Sequence, residues 1–170
     1  MDRSASNRSR PVTGDGPAVI HVRSATTEDA SAWLAMRLAL WPDGSEAEHR
    51  QEIERFLAGK AGGRPAQVLF AENDSGRLVG LVELSVRPYA EGCVTDRVAY
   101  LEGWFVESSC RRQGVGRALV AAAEDWGRTQ GCTEFASDAD PHNDVSIRAH
   151  GALGFADAGL VHCFYKSLEG

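Results

Sequence analysis

Residues 106 to 119 read Val106-Glu-Ser-Ser-Cys-Arg-Arg-Gln-Gly-Val-Gly-Arg-Ala-Leu119. The stretch leaves a strand-like apolar run, Ala99 to Val106, and enters a helical stripe of Val115, Leu119, Ala122 and Trp126. Between the two lies Arg111-Arg-Gln-Gly-Val-Gly116, which opens the helix. A helix N-terminus leaves its first amide N–H groups without internal partners and carries partial positive charge. Glycine lets a backbone approach a pyrophosphate closely. Arg112, Gln113, Gly114, Val115, Gly116 and Arg117 therefore read as a cradle for a diphosphate. The pattern is neither the GxGxxG of dinucleotide folds nor a phosphate loop ending in GK[ST]. By itself it also fits a tight turn with a solvated arginine pair.

On either side, periodicity and turn residues give the order β-α-α-β-β-β-α-β-α-β. A strand runs from Ala18 to Arg23. A helix then carries Trp33, Met36 and Leu40 on one face and stops at Pro42. Ser45 and Glu48 fit a capping box for a second helix with Ile53, Phe56 and Leu57 on its apolar side. After the glycine-rich break Gly59 to Gly63, Gln67 to Glu72 and Arg77 to Val86 form a hairpin around Asn73-Asp-Ser-Gly76. Beyond the helix closed by Gly131, Glu134 to Ser137 is a short strand, Asn143 to Leu153 a last helix, and Leu160 to Leu168 a final strand. The result is an α/β mixed sheet with helices on its faces. Residues 1–17 lack aromatics and read as a disordered tail, and residues 18–170 as one domain.

Charge narrows the function. Eighteen basic against 24 acidic residues give a net charge of −6, which opposes a nucleic-acid footprint and suits a cationic small molecule. No apolar run is long enough for a membrane span, and the N-terminus has no signal-peptide pattern. The four cysteines form no CxxC pair, so reduced thiols in the cytoplasm are expected.

Several further motifs accompany the cradle: Ala39-Leu-Trp-Pro-Asp43, Tyr100-Leu-Glu-Gly-Trp-Phe-Val106, Ala136-Ser-Asp138, Asn143 and His150-Gly-Ala-Leu-Gly-Phe155. With these, the chain from about Val22 to Leu168 resembles the Gcn5-related N-acetyltransferases, and within them the aminoglycoside 6′-N-acetyltransferases. That resemblance implies a mixed, mostly antiparallel sheet of about seven strands flanked by four helices. It implies strands splayed at Phe105 and Phe135 to admit the pantetheine of acetyl-CoA. Backbone groups of Trp104, Phe105 and Val106 would pair with pantetheine, Arg112 to Arg117 would hold the pyrophosphate, and Asn143 would touch the cofactor. The aminoglycoside would lie against Trp41, Tyr89, Glu102 and Asp138. Homodimers are frequent among such enzymes.

Elementary chemistry leads to the same carboxylates. An amine with a pKa of ~10.4 is neutral only about once in 10³–10⁴ molecules at pH 7, a cost of ~4–5 kcal/mol unless a base takes its proton. Glu102 and Asp138 are the candidate catalytic residues. Period-two alternation predicts that Tyr100, Glu102 and Trp104 share one strand face. Two departures from the family pattern stand out. His150 occupies the place of a tyrosine that protonates the leaving thiolate, and imidazole offers either that chemistry or a packed, capped role. The stretch Ala156-Asp-Ala-Gly159 keeps only Asp157 as an acidic residue.

Asp138, Asp140 and His142 lack the partner motif of a metal site, so no metal is expected. Cys110 as an acyl-carrying nucleophile explains the carboxylates less well than direct amine attack. Two alternatives keep the cleft: an acetyltransferase for a polyamine or protein N-terminal amine, and a non-catalytic acyl-CoA-binding sensor.

Overall fold

A computed structural model describes residues 19–60 and 65–168. The expected tail, residues 1–17, and most of the glycine-rich break lie outside the described residues. The elements follow in the order β1 (His21–Ser24), α1 (Ala30–Leu40), α2 (Glu46–Leu57), β2 (Gln67–Glu72), β3 (Leu78–Arg87), β4 (Val98–Val106), α3 (Val115–Thr129), β5 (Glu134–Ser137) and α4 (Asp144–Ala152). The sheet order is β1-β2-β3-β4-β5. All neighbours are antiparallel except β4 and β5, which run parallel.

The sheet has an apolar layer on each face. Under α3, Leu69, Ala71, Val79, Val82, Leu84 and Leu101 pack against Val115, Leu119 and Ala123. On the other face Val68, Phe70 and Leu81 meet Trp33, Leu34 and Met36 of α1 and Ile53 of α2. Ser45 caps α2 by accepting from Glu48 N, as its spacing predicts.

The second layer contains a buried ion pair that apolar periodicity gives no hint of. Arg37 donates from Nε and Nη2 to the two oxygens of Glu83 at 2.6 and 2.7 Å, and both side chains are nearly inaccessible. Trp33 Nε1 also donates to Glu83 at 2.6 Å. Burial acts to lower the Arg37 pKa, and Glu83 and Glu52 more than reverse it, so the guanidinium stays charged. A paired buried charge of this kind fixes geometry more than it adds stability.

A second pair gives the fold a pH dependence. Arg23 of β1 donates to both oxygens of Asp29, just before α1, at 2.7 and 2.9 Å. Hydrogen bonding from Arg23 holds Asp29 at about 2, against an ordinary 3.8, while burial opposes the shift. Because the folded-state value is depressed, this stability is present above pH ~4 and is lost as pH falls through about 2, with a size of about 2 kcal/mol. Asp29→Asn should therefore melt several degrees lower at pH 7, and the gap should close between pH 4 and 2. A gap that stays constant across that range rules out this linkage.

Two expectations need correction. The described residues form five strands rather than about seven, and Leu160 to Leu168 is not a strand. A strand exists only against a neighbour, and among the described residues this segment pairs with no strand. The expectation that Tyr100, Glu102 and Trp104 share a face also fails. Glu83 pairs with Gly103 but Leu84 with Leu101, so Glu102 is an extra residue in β4. Such a bulge reverses the alternation beyond it. Tyr100 packs with Ala90, Val98 and Ala136 on the face away from α3, whereas Trp104 packs under α3.

Candidate active site

The bulge puts the two halves of the site on opposite faces of β4. On the α1 face, Glu102 is held by three groups of β3. Ser85 Oγ donates to it, Arg87 Nε donates at 2.9 Å, and Arg87 Nη2 donates to its second oxygen. The Arg87 guanidinium also lies 3.3 Å from the centre of the Tyr100 ring. Tyr100 in turn donates its hydroxyl to Asp138 at 2.9 Å. Burial and the Asp138 carboxylate push the Tyr100 hydroxyl up, so it stays a neutral donor at physiological pH. Glu102, Arg87, Tyr100 and Asp138 thus form one connected chain. Its near cation is committed to Glu102, while Asp138 sits exposed at the end of β5 with a neutral donor beside it.

Trp41 forms the adjoining wall. It caps the C-terminus of α1. A Cβ on Gly103 would lie 2.7 Å from its ring, so only glycine lets the indole rest on β4 beside Glu102. Arg37 from below and the stacked His49 ring hold it in place. Tyr89 follows Arg87 by two residues, in a loop, and is 64% exposed. The expected Trp41, Glu102 and Asp138 are therefore brought to one face. Asp157 is not among them, because it lies in the segment beyond α4, where its carboxylate accepts from Gly159 N.

The α3 face carries the cradle. Gly114 is the N-cap of α3 with φ +89°, and Arg112 has φ +60°. The chain turns sharply there, and the first helical bond runs from Ala118 N to Gly114 O. The N–H groups from Val115 to Arg117 are left at an open helix end. Gln113 is tied back to Ser109 O and Arg111 to Val106 O, while the Arg112 and Arg117 side chains are exposed. Asn143 caps α4 through an oxygen that accepts from Ser146 N, which leaves its amide donor for a ligand.

The strands do part, but later than expected. Phe135 is paired with Ala99, and the β4–β5 ladder ends at Leu101 and Ser137. Among the described residues no strand pairs with β4 on that side from Glu102 to Val106, so the opening begins past the bulge. Beside it the buried Trp104 Nε1 has no hydrogen-bond partner. An orphaned buried donor, an unpaired strand edge and an open helix N-terminus on one face fit a long ligand with amides and a diphosphate. The residues present suit acetyl-CoA.

Of the two roles open to His150, its surroundings are those of a packed and capped ring. Its Nδ1 is 2.8 Å from Ser146 O, which only accepts, so Nδ1 carries the proton. Nε2 is then the acceptor facing Ser137 Oγ at 3.0 Å. The ring also meets Trp104 and Phe155 edge-on. The ring is thereby fixed in the cleft wall beside Trp104. Arg87 and Ser85 escaped the sequence reading, because nothing local in Leu84-Ser-Val-Arg87 marks partners for a glutamate on the next strand.

The Acetyltransferase (GNAT) family model matches residues 32–155. An aminoglycoside N(6′)-acetyltransferase type 1 from Klebsiella aerogenes is 54% identical over 147 residues, 86% of this chain and 96% of its own length. Another from Serratia marcescens is 41% identical over 143 residues, covering 83% and 94%. Among solved structures, the aminoglycoside N-acetyltransferase AAC(6′)-Iy in complex with CoA superposes with a TM-score of 0.80 at 32% identity, covering 92% of this chain and 99% of that one. The same enzyme with the bisubstrate analogue CoA-S-monomethyl-acetylneamine matches with a TM-score of 0.80 at 33% identity, covering 88% and 99%.

Proposed function

The chain belongs to the acetyltransferase (GNAT) family, and from that premise we propose that it transfers acetyl from acetyl-CoA to the 6′-amino group of an aminoglycoside. The observation that carries this reading is the connected chain Glu102–Arg87–Tyr100–Asp138, set beside Trp41 and across β4 from the open end of α3. Relatives at 54% and 41% identity that bear the aminoglycoside N(6′)-acetyltransferase name support it.

Acetyl-CoA supplies an activated thioester. The N–H groups of Gly116 and its neighbours hold the pyrophosphate, and the free edge of β4 at Trp104 to Val106 aligns pantetheine. A backbone N–H near Val106 polarises the carbonyl. Asp138 takes the proton of the attacking amine, directly or through water, while Tyr100 orients it. Glu102, already neutralised in part by Arg87, anchors the aminoglycoside with Trp41 and Tyr89. Attack is direct, within a ternary complex: the amine nitrogen bonds the acetyl carbon, the C–S bond breaks, and the departing CoA thiolate takes a proton from solvent. The enzyme works as a cytoplasmic homodimer, a location supported by its four free thiols.

Release of CoA thiol across a small panel of amines tests this reading. Aminoglycoside-dependent release is expected. Release driven only by a polyamine or a peptide N-terminus moves the substrate class, and tight acetyl-CoA binding without turnover makes the chain a sensor. Salt adds a second check. Exposed charges are screened over ~8 Å at 0.15 M, so aminoglycoside affinity should fall steeply with ionic strength. A flat response argues for an apolar substrate.

A further inference from the structure

We propose that Ser137 and His150 form a nucleophile–base pair that gives the chain a second activity, the slow hydrolysis of acetyl-CoA through an acetyl-Ser137 ester when no amine is bound. The proposal rests on the acetyl-CoA reading above and adds water as an alternative acyl acceptor.

The pair is assembled from β5 and α4. Ser137 is the last residue of β5, and period-two alternation puts its side chain on the face of Phe135, which packs under α3. Its Oγ lies 3.0 Å from His150 Nε2. His150 Nδ1 donates to Ser146 O at 2.8 Å, so Nε2 is the unprotonated nitrogen. Two carbonyls also lie in range of the hydroxyl, Leu101 O at 3.2 Å and Asp138 O at 3.4 Å, and both are farther away than the imidazole. Trp104 and Phe155 meet the ring edge-on and hold its plane. A hydroxyl on an unprotonated imidazole nitrogen, with the other nitrogen fixed by an acceptor, is the arrangement that activates a serine.

The place of the pair matters as much as its geometry. The β4–β5 ladder ends at Leu101 and Ser137, so Ser137 stands where the two strands part, and it is half-buried rather than sealed. Asp138 is the next residue. Because it receives the amine proton in the transfer reaction, the reacting carbonyl comes to this end of β5. The amine is met from the side of Tyr100 and Asp138, whereas Ser137 lies on the side of α3, where the diphosphate cradle is. The two nucleophiles therefore come from opposite faces of the sheet.

The chemistry closes on these groups alone. Ser137 Oγ bonds the acetyl carbon and its proton passes to His150 Nε2. The C–S bond breaks, and His150 returns that proton to the CoA thiolate. Water then attacks the ester carbonyl and gives a proton to His150. The bond from the acetyl carbon to Oγ breaks, and Ser137 takes the proton back. Acetyl-CoA and water become acetic acid and CoA thiol. His150 has a proton to give in this route only because Ser137 supplies it.

Thiol release from acetyl-CoA without any amine tests this on the full chain, together with mass spectrometry of protein quenched in acid after mixing. Wild type should release CoA thiol faster than the enzyme-free solution, and a fraction should carry one acetyl group on the peptide that contains Ser137. Ser137→Ala should lower this release by about 10²-fold and lose the adduct. His150→Phe, which keeps an aromatic ring against Trp104 and Phe155, should do the same. A thermal melt and a calorimetric titration with acetyl-CoA establish that each variant is folded and loaded. Release that survives both substitutions, or that leaves no acetyl group on Ser137, overturns the pair. So does a wild type that binds acetyl-CoA and acetylates an aminoglycoside but releases no thiol without it. A wild type that binds no acetyl-CoA overturns the cofactor reading and the pair together.

Discussion

Asp138→Asn is expected to lower turnover by about 10²–10⁴-fold, the range of a lost general base. The amide keeps the shape and one acceptor for the Tyr100 hydroxyl, which lies 2.9 Å from the carboxylate, but it takes no proton at neutral pH. The acidic limb of the pH–rate profile should vanish, and turnover should recover at high pH where the free amine is abundant. Glu102→Gln should behave differently. Glu102 is engaged by Arg87 and Ser85, so its loss weakens the anchor and raises the Michaelis constant for the aminoglycoside more than it lowers turnover. If Glu102→Gln shows the lost acidic limb and Asp138→Asn does not, the roles are reversed. If neither does, the amine loses its proton before it binds, and both carboxylates are anchors.

Gly116→Val is expected to abolish most acetyl-CoA affinity and to destabilise the fold as well. From the sequence alone, only the first effect is expected, because glycine there simply admits the pyrophosphate. The structure adds a second constraint. A Cβ on Gly116 would lie 2.7 Å from Trp104 Cζ2, and Trp104 packs between the core under α3 and the His150 ring. Overpacking of this kind costs about 1–3 kcal/mol. Calorimetric titration with acetyl-CoA and a thermal melt measure the two effects separately. Wild-type affinity in a folded variant removes the cradle from Arg112 to Arg117.

The strands and helices up to β5 were legible because each declares itself locally. Pro42, Ser45, the Asn73 to Gly76 turn and Gly131 punctuate runs with clear periodicity. What sequence missed depends on pairing across elements. The bulge at Glu102 leaves no local mark in Tyr100-Leu-Glu-Gly-Trp104, yet it turns Trp104 to the opposite face and shapes both halves of the site. Arg87 looks like an ordinary strand end until β4 lies beside it. Arg37 sits on the buried face of α1, where apolar periodicity has no place for a charge, and Glu83 on β3 together with Glu52 on α2 explains it. Leu160 to Leu168 reads as a strand and is none here, since β propensity reports fitness for a sheet rather than the presence of a neighbour. Glu102 and Asp138 could be singled out as candidates because they lie within short, distinctive strings. Which of the two carboxylates Arg87 neutralises could not be read there, because the pairing is made across strands.

Nuclear magnetic resonance of the product formed from acetyl-CoA and one aminoglycoside carrying a 6′-amine is the most direct test of the function. A single new acetyl group on N6′, formed together with one equivalent of CoA thiol, is the predicted result. Acetylation at a different ring amine, or no acetylated aminoglycoside at all, contradicts it.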